Sequence, residues 1–307
     1  MATVHTIRAA VLQLAVPSND KLNNFLASEK VIRRAVEQGC ELIVLQELHA
    51  ASYFCQQERV DFFDLAEPLN GETFCAYEKL AAELDVVLVI SQFERRAAGL
   101  YHNTAQVIDG AKGRAGIFRK MHIPDDPGFY EKFYFTPGDA DGELNGFKPI
   151  PTKLGKLGVL ICWDQWYPEA ARLMALAGAD FLIYPTAIGW DLRDDEAEQQ
   201  RQLGAWVTIQ RSHAVANGVP VLVANRTGFE ADPENPDLGI QFWGNSFIAG
   251  PQGELLTKAS CDERGFVCAD IDVRRAESVR RIWPYLRDRR VDAYQGITRR
   301  WLADQEP

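Results

Sequence analysis

Lys156–Tyr184 reads KLGVLICWDQWYPEAARLMALAGADFLIY, and this stretch decides the fold class. KLGVLI is a compact apolar run of strand length, Pro168-Glu169 opens a helix over Glu169–Ala177, and Phe181–Tyr184 is another apolar strand. Strand, helix and strand joined by short turns make a unit of a largely parallel sheet, with strands buried on both faces. Cys162 falls directly after KLGVLI, on the turn at the strand's C-terminal end, where α/β proteins place reactive groups. Nearby backbone N–H groups and the helix N-terminus are expected to favour a thiolate there.

The same alternation continues outward. Strands are expected at Thr6–Leu14, Glu41–Gln46 (ELIVLQ), Val86–Phe93 (VVLVISQF), Tyr101–Ile108, Ala115–Phe118, Val219–Ala224, Asn245–Ile248 and Phe266–Ile271. Helices are expected at Lys21–Gln38, capped by Asn19 or Asp20 and stopped by Gly39, and at Glu72–Leu84, Glu198–Ala216 and Val273–Arg281. Lys120–Asn145 has no period and many Pro, Gly and aromatic residues, so it reads as a long loop, a kind that is usually functional. No linker, repeat or composition shift divides the chain, which therefore reads as one α/β domain.

The chain has 307 residues, 47% hydrophobic and 25% charged, enough for a large core without metal or disulfide. No apolar run reaches the length of a membrane span, and Ile7–Val16 reads as a first strand rather than a leader. A net charge of −10 opposes nucleic-acid binding. The six cysteines, Cys40, Cys55, Cys75, Cys162, Cys261 and Cys268, form no C-x-x-C pair and no zinc spacing with the five histidines. Neither metal nor cofactor is expected, and the sparse cysteines point to a reducing cytoplasm.

Three further residues stand out beside Cys162. Glu47 ends the strand ELIVLQ, Lys120 follows the strand GIFR at the mouth of the long loop, and Glu131 sits among the aromatics of FYEKFYF. Singly, each has an ordinary reading: a solvated loop acid, a surface lysine, a buried apolar cysteine. Jointly, a carboxylate, a cation and a thiol just past strand ends gather on one side of the sheet. They supply a base, charge stabilisation and a nucleophile.

Glu47 in LQELH, Lys120 in FRKMHIP and Cys162 in GVLICWDQWYPEAAR resemble, in order and separation, the three signature segments of the nitrilase superfamily of carbon–nitrogen hydrolases. Glu131 in YEKFYFTPGD matches the additional active-site glutamate of its carbamoylase-type members. The resemblance runs from Val4 to Trp283. It implies a four-layer α-β-β-α sandwich over residues 1–285, a C-terminal arm over 286–307 in oligomer contacts (dimer or larger), and a metal-free Glu-Lys-Cys site. Members cleave nitriles, amides or carbamoyl groups.

Members acting on carbamoyl D-amino acids carry an arginine pair three and four positions after the cysteine. Here Gln165 and Trp166 stand there, and neither grips a carboxylate as a charged fork. MHIPDDPGFYEKFYFTPGD and YPTAIGWD resemble instead the members acting on an N-carbamoylated diamine. A cationic tail calls for a carboxylate or an aromatic wall. Asp191 is the preferred acid, with Asp125 or Asp126 as alternatives, and Trp166, Tyr53, Tyr130 and Trp190 are candidates for the methylene channel. Asp194–Glu198 read as a helix N-terminus. His49 and His122 read as packing or supporting residues and His213 as a helix-face residue, although a Cys-His hydrolase using His122 or His213 is a rival mechanism. An amidase or nitrilase on a neutral or anionic substrate is a rival activity, and a catalytically silent binding module is a rival class.

Overall fold

Strand β1 (Thr6–Gln13) shows how the layers arise. Ile7, Ala9 and Val11 join one apolar cluster, whereas Ala10 and Leu12 join another, because successive side chains of a strand point to opposite faces. The first cluster lies between two sheets and the second between a sheet and helices, so one strand serves two interfaces. The computed structural model describes residues 6–140 and 146–303. Val4 and the ends of the expected segments at Asn145 and Pro307 lie outside them.

After β1 come α1 (Lys21–Glu37), β2 (Leu42–Val44), α2 (Glu72–Leu84), β3 (Val87–Ala97), β4 (Leu100–Asp109), β5 (Gly113–Arg119) and the single turn α3 (Glu131–Tyr134). The chain continues through β6 (Ile150–Thr152), β7 (Gly155–Val159), α4 (Pro168–Leu176), β8 (Phe181–Thr186), β9 (Gly189–Asp191) and α5 (Glu196–Asn217). It ends with β10 (Val221–Asn225), β11 (Thr227–Ala231), β12 (Gly239–Trp243), β13 (Phe247–Ala249), β14 (Leu255–Lys258), β15 (Gly265–Asp272) and α6 (Val273–Ile282).

Two six-stranded sheets form, ordered β15-β1-β2-β3-β4-β5 and β14-β13-β10-β8-β7-β6. Each has a parallel centre, β1-β2-β3 in one and β7-β8-β10 in the other. Val44, Val89 and Val107 of the first sheet share a core with Val159, Ile183 and Val223 of the second. On the outer face of the first sheet, Ile43, Leu88 and Ile108 pack on Ile32 of α1 and Phe74 and Leu80 of α2. Met174 of α4 and Trp206 and Ala214 of α5 cover the second sheet. The result is the α-β-β-α sandwich, one mixed α/β domain. No helix among the described residues is long and apolar enough to cross a membrane.

The expected strands and helices form with small shifts of their ends. Asp20 caps α1 by accepting from the Asn23 N–H, and Gly39 ends it at φ +83°. Strands β6 and β14 and a three-stranded sheet ordered β11-β12-β9 form in addition to the expected elements. These strands are three to five residues long, and several are half exposed, so neither a sustained alternation nor a solid apolar run announces them. The long loop is interrupted by α3, which carries Glu131.

Candidate active site

β2, β5 and β7 end on the same edge of the sandwich, and the chain there delivers Glu47, Lys120 and Cys162. The Glu47 N–H donates to the Thr186 carbonyl (3.3 Å), tying the end of β2 to the end of β8 in the other sheet. The Lys120 N–H donates to the Asn103 carbonyl at 2.9 Å, which holds the residue after β5 against β4. Leu48 and Cys162 adopt left-handed backbone conformations, φ +49° and +44°, which cost non-glycine residues about 1–3 kcal/mol each and persist only where the surroundings fix them. At Cys162 the fixing group is Asp164. Its carboxylate accepts from the Ile161 N–H at 2.9 Å and from the His122 N–H at 3.0 Å, so the sharp turn Cys162–Trp166 is closed from both sides.

The side chains meet in a buried cluster. Lys120 Nζ donates to Glu47 Oε1 at 2.8 Å and to Glu131 Oε2 at 2.6 Å, and all three residues are 0% exposed. Asn103 Nδ2 donates to Glu47 Oε1 at 2.6 Å, and the Tyr53 hydroxyl donates to Glu131 Oε1 at 2.7 Å. The remaining oxygen, Glu47 Oε2, is buried without a hydrogen-bond partner. Burial alone would lower the Lys120 pKa, but the carboxylates of Glu131 and Glu47 outweigh it and hold the ammonium well above its ordinary value. Burial pushes the Glu131 carboxyl up to about 7, with Lys120 pulling down and Glu47 pushing up.

Burial, then the Glu47 charge, pushes the Cys162 thiol well above its usual range, against the pull of Lys120. This corrects the expectation of a helix-stabilised thiolate: the helix opened by Pro168-Glu169 forms as α4, but it begins beyond the turn that carries Cys162, and the effect of its dipole falls off within its first turn. A thiol whose pKa is held this high needs a base to take its proton before it can act as a nucleophile.

Cys162 opens into a cavity of ≈ 520 Å³ whose walls include Glu131, Trp163, Trp166, Ile188 and Trp243. Asp126, Asp191, Asp194 and Glu198 line it too, with Arg201. Trp166 is therefore where a channel residue was expected. Three other candidates are not. Tyr53 is buried behind Glu131, its hydroxyl spent on that carboxylate. The Trp190 indole donates to the Gln199 carbonyl at 3.0 Å and packs on Trp243 from outside, because alternation along β9 sends it to the opposite face from Asp191. Tyr130 borders an adjoining surface depression that shares Phe129 and Asp191 with the cavity.

Asp191 does line the cavity, but Arg193 already grips its carboxylate at 2.5 Å and lowers its pKa. Asp125 faces solvent 4.0 Å from Lys132. Glu198 is paired with Arg201 at 2.6 Å. Asp126 and Asp194 line the cavity without an ion pair among the described residues, the Asp194 carboxylate accepting from the Gln202 amide at 2.8 Å. Asp195 caps α5 as expected of this acidic run.

The three histidines singled out from the sequence, His49, His122 and His213, are engaged elsewhere. His122 Nδ1 lies 2.7 Å from Asp164 Oδ1 and the ring stacks on Tyr167 at 3.7 Å. His213 Nε2 bonds the Gln165 carbonyl at 2.8 Å, and burial, then Arg226, drives His49 down to about 3. None is poised beside Cys162 as a Cys-His pair requires. The sequence reading missed Asn103, Asp164 and Arg226. Only the long-range pairing of strands brings Asn103 and Arg226 to Glu47, so no local signal marked them.

The chain matches the carbon–nitrogen hydrolase family over residues 8–281. It is 44% identical to an N-carbamoylputrescine amidase of Arabidopsis thaliana, over 91% of each chain. It is 38% identical to a citrullinase of Francisella tularensis, over 96% of this chain and 99% of the other. A carbon–nitrogen hydrolase structure from Helicobacter pylori superposes with a TM-score of 0.92 at 51% identity, over 97% of this chain and 100% of that one. The chain belongs to the carbon–nitrogen hydrolase family of the nitrilase superfamily and is a hydrolase acting on carbon–nitrogen bonds.

Proposed function

We propose that this carbon–nitrogen hydrolase converts N-carbamoylputrescine to putrescine, ammonia and carbon dioxide, a step that forms putrescine. The observation that carries the reading is the charge of the cavity in front of Cys162. Four carboxylates, Asp126, Asp191, Asp194 and Glu198, line it with one arginine, Arg201, and after the pairs Glu198–Arg201 and Asp191–Arg193 two of them, Asp126 and Asp194, are left without an ion pair among the described residues. Such a wall favours a cationic tail and disfavours an anionic one. The plant relatives named N-carbamoylputrescine amidase, at 41–44% identity, support the same substrate.

In this scheme Glu47 Oε2 removes the Cys162 proton as the sulfur attacks the ureido carbon. Lys120 and the backbone N–H after Cys162 stabilise the oxyanion. The C–NH₂ bond breaks, Glu47 returns the proton and ammonia leaves, so Cys162 carries an N-alkylcarbamoyl thioester. Glu47 then deprotonates a water that attacks the thioester, the C–S bond breaks and the thiol is reprotonated. The released carbamic acid divides into amine and carbon dioxide. Glu131, ionised, keeps Lys120 in line. Trp166 flanks the methylene chain, and Asp194, with Asp126, seats the ammonium. Asp191 joins them when Arg193 swings away.

A second reading follows from the citrullinase relative: a ureido substrate ending in both ammonium and carboxylate, the latter on Arg201. Ammonia release from N-carbamoylputrescine, citrulline, N-carbamoyl-β-alanine, a carbamoyl D-amino acid and glutamine separates these. The cationic compound is expected to have the highest kcat/KM, and preference for any other would overturn the substrate while leaving the Cys162 chemistry standing.

The protein also works, in our reading, as a homo-oligomer. Ile282, Trp283, Val291, Ile297, Trp301 and Leu302 near the C-terminus are each more than half exposed, an apolar surface that a second copy would cover. Sedimentation of the full chain and of a chain ending at Tyr285 tests it, the truncation being expected to shift the assembly to smaller species. Six free cysteines suit a reducing compartment such as the cytoplasm.

A further inference from the structure

Arg226 is the largest charged side chain with no exposure at all, and the chemistry above does not use it. It sits between β10 and β11, in the second half of the chain. Its guanidinium nevertheless closes on the loop after β2: Nε donates to the Glu47 carbonyl at 3.1 Å, and Nη2 to the carbonyls of Leu48 at 2.5 Å and Ala51 at 2.9 Å. Nη1 donates to Glu230 Oε1 at 2.8 Å. Glu230 Oε2 in turn accepts from the Tyr53 N–H at 2.5 Å, and Tyr53 donates its hydroxyl to Glu131.

Two lines thus leave one arginine. One runs straight to the backbone of Glu47, across the left-handed Leu48. The other runs through Glu230 and Tyr53 to Glu131. The two carboxylates that hold Lys120 are both set by this pair from behind. A buried cation for structure alone needs a counter-ion, which Glu230 supplies. Its other N–H groups need acceptors as well, and these are three carbonyls of the strained loop that bears Glu47.

We propose that Arg226 and Glu230 are positioning residues of the active site, holding Glu47 and Tyr53, and through Tyr53 the Glu131 carboxylate, in their working geometry. This rests on the assignment of Glu47 as base and Glu131 as partner of Lys120. Only a planar fork can reach three carbonyls and a carboxylate together, so lysine is a poor substitute despite its charge.

The test uses Arg226→Lys and Glu230→Gln in the full chain, with kcat per alkylatable Cys162, KM, melting temperature and the pH–kcat profile. Arg226→Lys is expected to lower kcat per titrated site about 10²-fold with KM little changed, as misplacement of a base does. Glu230→Gln keeps an acceptor for Arg226 but turns an amide toward the Tyr53 N–H. It is expected to move the acid limb of the profile upward, because the Tyr53 hydrogen bond keeps the Glu131 pKa down. Where Arg226→Lys does not fold, the charge-neutral pair Arg226→Met with Glu230→Gln replaces it with the same expectation. Activity lost only in proportion to folded protein, with an unmoved acid limb in Glu230→Gln, would overturn the proposal. Loss of the acid limb's dependence on Glu131 itself, seen as an unchanged profile in Glu131→Gln, would instead overturn the role of Glu131 on which it rests.

Discussion

The floor of the cavity and its mouth both hold acids and cations, yet they behave as different materials. At the floor, Lys120 lies between Glu47 and Glu131 with none of the three exposed, and each carboxylate has a second donor, Asn103 or Tyr53. At the mouth, Asp191 pairs with Arg193 and Glu198 with Arg201, with side-chain exposures of 33–69%. Water screens the second set, so its partners exchange at little cost. Desolvation makes the first set indivisible, because removing one member strands a buried charge. The floor can therefore hold a reacting geometry, and the mouth can exchange its arginines for another cation.

The largest contrast lies in chemistry. Cys162→Ala is expected to lower turnover of the ureido substrate on the order of 10⁴-fold or more, measured as ammonia release, whereas Asp194→Asn at the mouth leaves kcat unchanged. If both changed kcat alike, the division between floor and mouth would fail.

Stability gives the next contrast. Lys120→Met leaves two buried carboxylates facing each other and is expected to cost about 3–5 kcal/mol in urea unfolding, along with activity. Arg193→Ala, which frees an exposed carboxylate, is expected to leave the unfolding midpoint where it was. A Lys120→Met protein as stable as the parent would mean that the cluster is hydrated.

The pH dependence follows from Glu131, pushed up to about 7 by burial. In the proposed scheme ionised Glu131 is the working form, so kcat is expected to fall as pH drops through about 7, and Glu131→Gln is expected to remove that limb together with much of the activity. For stability the sign is reversed. A carboxyl whose folded-state pKa is raised favours the folded state when protonated, so that contribution is present at low pH and is lost as pH rises through about 7. The unfolding free energy of Glu131→Gln, compared with the parent across this window, reports the second effect without any substrate.

The smallest effects belong to the mouth. Asp194→Asn is expected to raise KM for the cationic substrate about three- to tenfold, and less in high salt. Asp191→Asn is expected to do less, since Arg193 already competes for that carboxylate. The opposite ranking would return the amine to Asp191.

The reactive side chains of the floor were legible in the sequence, as were Trp166, Asp126 and Asp191 at the cavity, and the residues that support or complete them were not, for a physical reason. Glu47, Lys120 and Cys162 each follow a strand that reads clearly as apolar, and strand ends on one edge of a sheet must converge. Glu131 stood out as a carboxylate among aromatics. Asp194, Trp243 and Arg226 lie on a helix start, a short half-exposed strand and a connection whose neighbours are set by long-range pairing. Trp190 was misassigned because the three-residue strand that turns it away from the cavity has no visible alternation. The rise of the Cys162 pKa was not visible in the sequence, since it comes first from burial and then from the charge of Glu47, remote in the chain.

Acid-quenched turnover followed by peptide mass analysis tests the central claim most directly. With N-carbamoylputrescine, the peptide containing Cys162 is predicted to carry the aminobutylcarbamoyl group during steady state and to lose it when substrate is exhausted. Ammonia release at the normal rate with Cys162 unmodified throughout, or with another cysteine carrying the group, would contradict the account.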